Sequence, residues 1–272
     1  MSPNVVAIIP ARLGSTRFPA KALADETGKP LVVHVCEQAT KASQVNRVVV
    51  ATDDKQIKAA VESHGFEAIL TSTDHPNGTS RLVEAATKLK LQDAQIIVNV
   101  QGDEPEIEPE VIDGAITALS ASTTIGNAFQ NTASDGARFQ WVGTVASPID
   151  HDADAQDPNV VKVAMGLIEP DHAVAQAMYF SRAQIPFDRD SLGAAKYFRH
   201  VGIYAYSVAA LKEYKSLEET PLEQVERLEQ LRWLEHGYPI AVAIRNSSHT
   251  GIDTPEQYRA FVERYIQKKP PI

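Results

Sequence analysis

Short apolar runs alternate with amphipathic stretches through the first 120 residues of the chain. The run Val5-Val6-Ala7-Ile8-Ile9 has no polar position and ends at Pro10. A strand with one face in water would alternate, so this run predicts a strand buried on both faces, as in a parallel sheet. A loop follows to about residue 30, then a helix over 31–42 and a second buried strand over 47–51. Asp53 or Asp54 can cap a helix that runs to about His64, where Gly65 stops it. Residues 66–70 predict a strand, 79–89 a helix, 96–100 a strand and 109–119 a helix. This alternation predicts a doubly wound α/β sheet. Ligands in such sheets sit beyond the carboxyl ends of the strands. The loops over 11–21, 52–54, 71–80 and 101–106 are therefore expected to face a site.

The pattern loosens afterwards. Residues 120–140 are rich in Ser, Thr, Asn, Ala and Gly, which predicts a mobile insertion or long loop. Strands are expected over 141–147, 160–164, 177–181, 200–207 and 240–244. Leu222, Val225, Leu228, Leu231 and Leu234 recur at helical spacing with charges between them, so 222–236 reads as one helix. A final helix is predicted over 255–267. No repeat and no clear linker divides the chain, which reads as a single domain over 1–272.

Composition narrows the functions. The net charge of −9 argues against a nucleic-acid partner, whose affinity would come from neutralising phosphates. A small nucleotide stays open, because a local cluster of cations can outweigh the global sign. Cys36 is the only cysteine, so neither an intrachain disulfide nor a Cys-based zinc site is available, and in its apolar run it is expected to pack as a small hydrophobe. The N-terminus has no basic region and too short an apolar run for a signal peptide or a membrane span, so a cytoplasmic protein with no membrane partner is expected.

Five stretches carry candidate chemistry. Arg12-Leu13-Gly14-Ser15-Thr16-Arg17-Phe18-Pro19-Ala20-Lys21 follows the first strand and gathers three cations, two hydroxyls and a glycine. A triphosphate needs such groups, although a solvated basic loop would look the same. It is neither a Walker A loop nor a dinucleotide fingerprint. In Asn99-Val100-Gln101-Gly102-Asp103-Glu104-Pro105 an acid stands just past a buried strand, which suits a Mg²⁺ ligand or a strand-ending turn. In Gly251-Ile252-Asp253-Thr254-Pro255, Asp253 could join Asp103 on a metal, but the spacing favours a helix cap by Thr254 or Asp253 before Pro255. Asp74-His75-Pro76-Asn77-Gly78-Thr79-Ser80-Arg81 enters a helix and could read an anion, or be a plain turn. Cations and aromatics mix in Tyr179-Phe180-Ser181-Arg182, Ile185-Pro186-Phe187-Asp188-Arg189 and Arg199-His200-Val201-Gly202-Ile203-Tyr204, as in a sugar-acid pocket or a subunit interface, and His200 by itself reads as structural.

In this order the stretches strongly resemble the 3-deoxy-manno-octulosonate (Kdo) cytidylyltransferase family. The matching pieces begin with Ile9-Pro10-Ala11-Arg12, Ser15-Thr16-Arg17-Phe18-Pro19-Ala20-Lys21, Gly28-Lys29-Pro30, Val50-Ala51-Thr52-Asp53 and Gly78-Thr79. They continue with Val98-Asn99-Val100-Gln101-Gly102-Asp103-Glu104-Pro105, Pro158-Asn159-Val160-Val161-Lys162, Tyr179-Phe180-Ser181-Arg182 and Arg199-His200-Val201-Gly202-Ile203-Tyr204. Leu228-Glu229-Gln230-Leu231-Arg232 and Gly251-Ile252-Asp253-Thr254-Pro255 complete the set, which spans residues 9–255. Two features depart from the family pattern: Ser80, where an acid is usual, and a longer stretch over 121–139.

The resemblance implies a Rossmann-like, mainly parallel nucleotidyltransferase fold, with a small dimerisation and sugar-site subregion at about 176–220 and a homodimeric state. It implies transfer of CMP from CTP to the anomeric hydroxyl of Kdo, releasing pyrophosphate and activating Kdo for lipopolysaccharide synthesis. Arg12, Lys21, Asp103 and Asp253 would be catalytic, with Asp103 and Asp253 holding Mg²⁺. Ala11, Arg12, Gly14, Ser15, Thr16, Lys21, Thr73, Gly78, Arg81 and Gln101 would bind nucleotide. Gln101, His200, Tyr204, Glu226, Glu229 and Gln230 would bind sugar. The alternatives are a cytidylyltransferase for 8-amino-Kdo or a sialic acid, and a non-catalytic nucleotide-binding protein.

Overall fold

The computed structural model describes residues 4–14, 17–75, 77–129, 142–169, 174–190, 193 and 195–268. In chain order come β1 (Val5–Ala11), a 3₁₀ turn (Lys21–Leu23), α1 (Leu31–Lys41), β2 (Arg47–Thr52), α2 (Lys55–Ser63), β3 (Glu67–Leu70), α3 (Gly78–Lys88), β4 (Ile96–Asn99) and α4 (Pro109–Phe129). There follow β5 (Val142–Pro148), α5 (Asp152–Gln156), β6 (Lys162–Glu169), β7 (Val174–Ser181), β8 (Phe198–Ser207), α6 (Val208–Tyr214), α7 (Pro221–Glu226), α8 (Gln230–Glu235), β9 (Ile240–Ile244) and α9 (Pro255–Lys268). These elements form two compact units, Met1–Ile112 with Ser248–Ile272, and Asp113–Ser247.

In the first unit β1 pairs in parallel with both β2 and β4, and β2 with β3, giving the order β3-β2-β1-β4. Val5, Val6, Ala7, Ile8 and Ile9 are all buried, which is why β1 lacks alternation. The chain winds outward from β1 to β3 and then returns to the other side of β1. The loops after β1 and β4 therefore leave the sheet at its switch point, where α/β folds bind ligands. Asp54 caps α2, its carboxylate accepting from Gln56 N and Ile57 N at 2.7 and 3.0 Å, and so Asp53 is left for other work. Leu31 of α1 packs with Ile252, Tyr258, Phe261 and Val262. The last stretch of chain thus closes a core that the first stretch opens.

The second unit has strand order β8-β5-β9-β7-β6. Only β5 and β9 are parallel; β5–β8, β7–β9 and β6–β7 are antiparallel. The expectation of a mainly parallel sheet therefore holds for the first unit and not for this one. Only residues 170–173 separate β6 from β7, too few for the crossover that a parallel pair needs. Gly143 lets α4 lie close on β5, since a Cβ there would stand 2.3 Å from the Ala115 carbonyl oxygen.

Two sequence expectations are corrected here. Residues up to Phe129 continue α4 rather than entering a loop. The Thr117 and Ser120 hydroxyls donate to the Asp113 and Ile116 carbonyls of their own helix, so hydroxyl side chains are accommodated in helical form at these two positions. The rest of the expected loop, 130–140, lies outside the described residues. The helix expected over 222–236 is two helices, broken at Arg227, which has φ 56°. Arg232 of α8 clasps Glu223 of α7 with two bonds of 2.7 Å, and Glu235 accepts Leu222 N at 3.0 Å. The apolar stripe divides accordingly: Leu228 and Leu231 are buried, whereas Leu222 and Val225 are exposed.

Candidate functional site

The first unit brings three of the expected residues together at the switch point. Lys21 Nζ donates to Asp103 Oδ2 at 2.6 Å, to the Ile252 carbonyl at 2.9 Å and to Asp253 Oδ1 at 3.3 Å. Arg17 also pairs with Asp253 Oδ1, at 3.0 Å. Residues 82 or more positions along the chain from Lys21 thereby share its ammonium, and the local fold explains how. Ala20 N donates to the Leu13 carbonyl, which brings these two positions of the loop together. Ala20 itself takes a left-handed conformation, with φ 55°, and leads into the 3₁₀ turn that starts at Lys21. A non-glycine residue held there is strained, as at many functional sites.

Asp103 is placed by Gly102. A Cβ on Gly102 would lie 2.7 Å from the Pro10 carbonyl oxygen, so only glycine lets this loop lie against the end of β1. Asp253 is placed by its neighbour. Thr254 Oγ1 accepts from Gln257 N, and Gln257 Oε1 accepts in return from Asp253 N and Thr254 N at 2.7 and 3.0 Å. This reciprocal box caps α9 with Thr254 and leaves the Asp253 carboxylate free of the capping role that its spacing suggested. Ile252 N donates to the Asp103 carbonyl at 2.8 Å, which joins the two carboxylate-bearing segments.

Among the other residues singled out in this unit, Arg12 and Gly14 are exposed at the end of β1, Ala11 is buried, and Ser15 and Thr16 lie outside the described residues. Gln101 stands in the turn that Glu104 N closes on its carbonyl. A Cβ on Gly78 would stand 3.5 Å from the Pro10 ring, an ordinary contact, and Thr73 is exposed. Arg81 is buried and engaged, donating to Asp53 Oδ2 at 2.8 Å, Thr71 Oγ1 at 2.5 Å and the Ser72 carbonyl at 3.2 Å. It braces the loops after β2 and β3 rather than standing open to a ligand.

Sequence reasoning missed a second cluster. Glu108 accepts from Ser248 N at 2.8 Å, Ser248 Oγ at 3.0 Å and His249 Nδ1 at 2.7 Å. The other ring nitrogen of His249 lies 3.6 Å from Glu104 Oε2. Burial alone would lower the pKa of His249, but the carboxylates of Glu104 and Glu108 outweigh it and raise it above the ordinary value. Burial acts the other way on Glu108; the bonds from Ser248 and His249 overcome it and bring its carboxyl down to about 2. No spacing signal joins residues 104–108 to 248–249.

The second unit gathers His200, Tyr204 and their neighbours on β8. The Thr144 hydroxyl uses its one proton on the Ile203 carbonyl at 2.7 Å, so His200 Nε2 must be the donor in its 3.0 Å contact with Thr144 Oγ1. Burial pushes the His200 pKa down to about 3, so the ring is neutral and presents Nδ1 as an acceptor. The His200 and Tyr204 rings are 5.4 Å apart, and the charge of Glu229 acts on Tyr204. Gln230 is buried, with Nε2 lacking any hydrogen-bond partner among the described residues. Glu226 is already engaged, taking Ser181 Oγ at 2.6 Å and Arg182 N at 2.9 Å. Lys162 is wholly buried and donates to the Asp157, Val160 and Arg182 carbonyls, which accounts for its place in the sequence pattern.

The profile of the cytidylyltransferase family matches residues 6–244. The chain is 44% identical over 260 residues to a 3-deoxy-manno-octulosonate cytidylyltransferase of Syntrophobacter fumaroxidans, covering 95% of this chain and 96% of that protein. It is 46% identical over 261 residues to the protein of the same name from Neisseria gonorrhoeae, covering 92% and 94%. Its fold is similar to that of a CMP:2-keto-3-deoxy-manno-octonic acid synthetase complexed with CTP, with a TM-score of 0.82, 36% identity, and coverage of 98% of this chain and all of that one. Among the described residues, no helix is long and apolar enough to cross a membrane.

Proposed function

The chain belongs to the cytidylyltransferase family, and from that premise we propose that it transfers CMP from CTP to the anomeric hydroxyl of Kdo, releasing pyrophosphate. The observation that carries this reading is the meeting of Lys21, Asp103 and Asp253 beside the phosphate-suited loop of Arg12. The names of relatives at 44–46% identity point to the same acceptor.

The attacking hydroxyl displaces pyrophosphate from the α-phosphorus, and the protein's task is positioning and charge stabilisation. Arg12 and Lys21 meet the charge that builds on the leaving pyrophosphate. Asp103 and Asp253 are the proposed holders of Mg²⁺. Their oxygens both reach the Lys21 ammonium, with Arg17 also on Asp253, and hard carboxylate oxygens suit Mg²⁺. Bound there, the metal would neutralise repulsion between two anionic substrates and lower the pKa of the attacking hydroxyl. When nucleotide enters, Lys21 exchanges carboxylate for phosphate oxygens. His200, being neutral, accepts from a sugar hydroxyl rather than pairing with the sugar's carboxylate. The orphan amide of Gln230 supports a polar ligand close by.

The enzyme is further proposed to be a homodimer. Met178 and Phe187, 70% and 85% exposed within the 176–220 subregion, support this, and sedimentation of the purified protein tests it. The family resemblance is also the ground for proposing a cytoplasmic location. The activity is tested by pyrophosphate release with CTP, Kdo and Mg²⁺, omitting each in turn and replacing CTP by the other nucleotides. Release that requires all three is expected. Release only with 8-amino-Kdo or a sialic acid would move the acceptor, and silence with every sugar would overturn catalysis.

A further inference from the structure

We propose that His249 is a positioning residue that holds the Asp103 and Asp253 carboxylates at the separation a shared cation needs. The proposal rests on the reading of those two carboxylates as a metal-holding pair. Two segments carry them, 103–108 and 248–253, and the structure ties these at two levels. At one level Ile252 N donates to the Asp103 carbonyl at 2.8 Å. At the other, His249 Nδ1 donates to Glu108 at 2.7 Å while its second nitrogen faces Glu104, the residue next to Asp103. Ser248 N and Oγ add two bonds to the remaining oxygen of Glu108.

Without the imidazole this arrangement loses the group that balances the charges of Glu104 and Glu108. His249 is 6% exposed, and the buried Glu104 Oε2 accepts no hydrogen bond among the described residues. The nearby ring is thus the group that offsets a buried negative oxygen. Removing it leaves two carboxylates on one segment to repel each other and to seek water, and the turn that presents Asp103 moves with them. Lys21 cannot compensate, because it bridges the carboxylates themselves and is the group that nucleotide draws away.

The test measures Mn²⁺ binding to the full-length protein by the paramagnetic resonance of the free ion, with amide exchange followed at Ile252. Wild type is compared with Asp103→Asn, His249→Ala and His249→Gln. His249→Ala is expected to weaken Mn²⁺ binding about tenfold, the low end for loss of a residue supporting metal ligands. Exchange at Ile252 should speed up while the buried β1 amides keep their protection. His249→Gln retains a donor toward Glu108 and should recover part of the binding. Unchanged Mn²⁺ affinity in His249→Ala, with binding lost in Asp103→Asn, would overturn the proposal alone. Equal binding by wild type and Asp103→Asn would instead overturn the metal reading, and the proposal with it. Should His249→Ala fail to fold, Glu108→Gln decides by the same criterion, since it keeps the segment's shape and removes the charge His249 grips.

Discussion

Lys21 and Arg17 together face the carboxylates of Asp103 and Asp253, so the formal charges of the cluster balance before any ligand arrives. Its stability contribution is small, because Asp103 and Asp253 are 30% and 41% exposed. Asp103→Asn should therefore lower turnover by at least about a hundredfold, as expected for a metal-supporting charge, with a melting temperature close to wild type; calorimetry and pyrophosphate release check the two halves. Gly102→Ala should behave differently. Its new methyl group meets backbone, not a side chain that could turn aside, and about 1–3 kcal/mol of stability should be lost together with activity, as denaturant titration would show. The His249 clasp makes a prediction in pH. The carboxyl of Glu108 falls from 4.5 to about 2, so its contribution is complete above 4.5 and fades as pH drops toward 2. His249 is raised above 6.5, so its contribution is complete below 6.5 and is lost as pH climbs through the raised value. The melting temperature of wild type should therefore exceed that of His249→Gln most between about 4.5 and 6.5, narrowing on either side. At this scale the sequence was legible where one residue's neighbours decide its role. Lys21 and Asp103 stand in dense local motifs. Whether Asp253 or Thr254 caps α9 was undecidable from spacing, because both suit the position and Gln257 makes the choice. The pairing of Glu108 with His249 had no local signal at all.

Elements were readable where burial imposes a simple period. β1, β2, β4, α1 and α2 fall within a residue or two of their expected limits because their apolar faces meet a continuous core. The division between α7 and α8 was not readable, since Leu222, Val225, Leu228 and Leu231 keep helical spacing across a break that ion pairs dictate. Arg227 pays for that break with a left-handed backbone in an exposed side chain that makes no ion pair or hydrogen bond among the described residues. Arg227→Gly should accordingly stabilise the protein by about 0.5–1 kcal/mol, seen as a higher denaturant midpoint, whereas glycine at a right-handed helical position would do the reverse.

For the molecule as a whole, the alternating first half made the α/β class legible, while the mixed sheet of the second unit was not. Antiparallel returns depend on short connections that composition does not mark. The discontinuity of the first unit was hidden as well, because no linker announces it. Ile252, Tyr258, Phe261 and Val262 pack on Leu31, and burying such side chains contributes on the order of 5 kcal/mol or more, comparable with the whole stability of a domain. A chain ending at Ser247 should therefore release no pyrophosphate, and hydrogen exchange should find its β1 amides unprotected.

The same discontinuity sets an order of events on the ribosome. Nascent domains generally fold as units from the N-terminus. Here Met1–Ile112 emerges first but lacks its closing piece, whereas the contiguous segment Asp113–Ser247 is complete sooner. Asp253 joins Lys21 and Asp103 only after the whole of Asp113–Ser247 has been made, so a polypeptide terminated before that point can gather the cations of the nucleotide loop but never the pair of carboxylates that would use them.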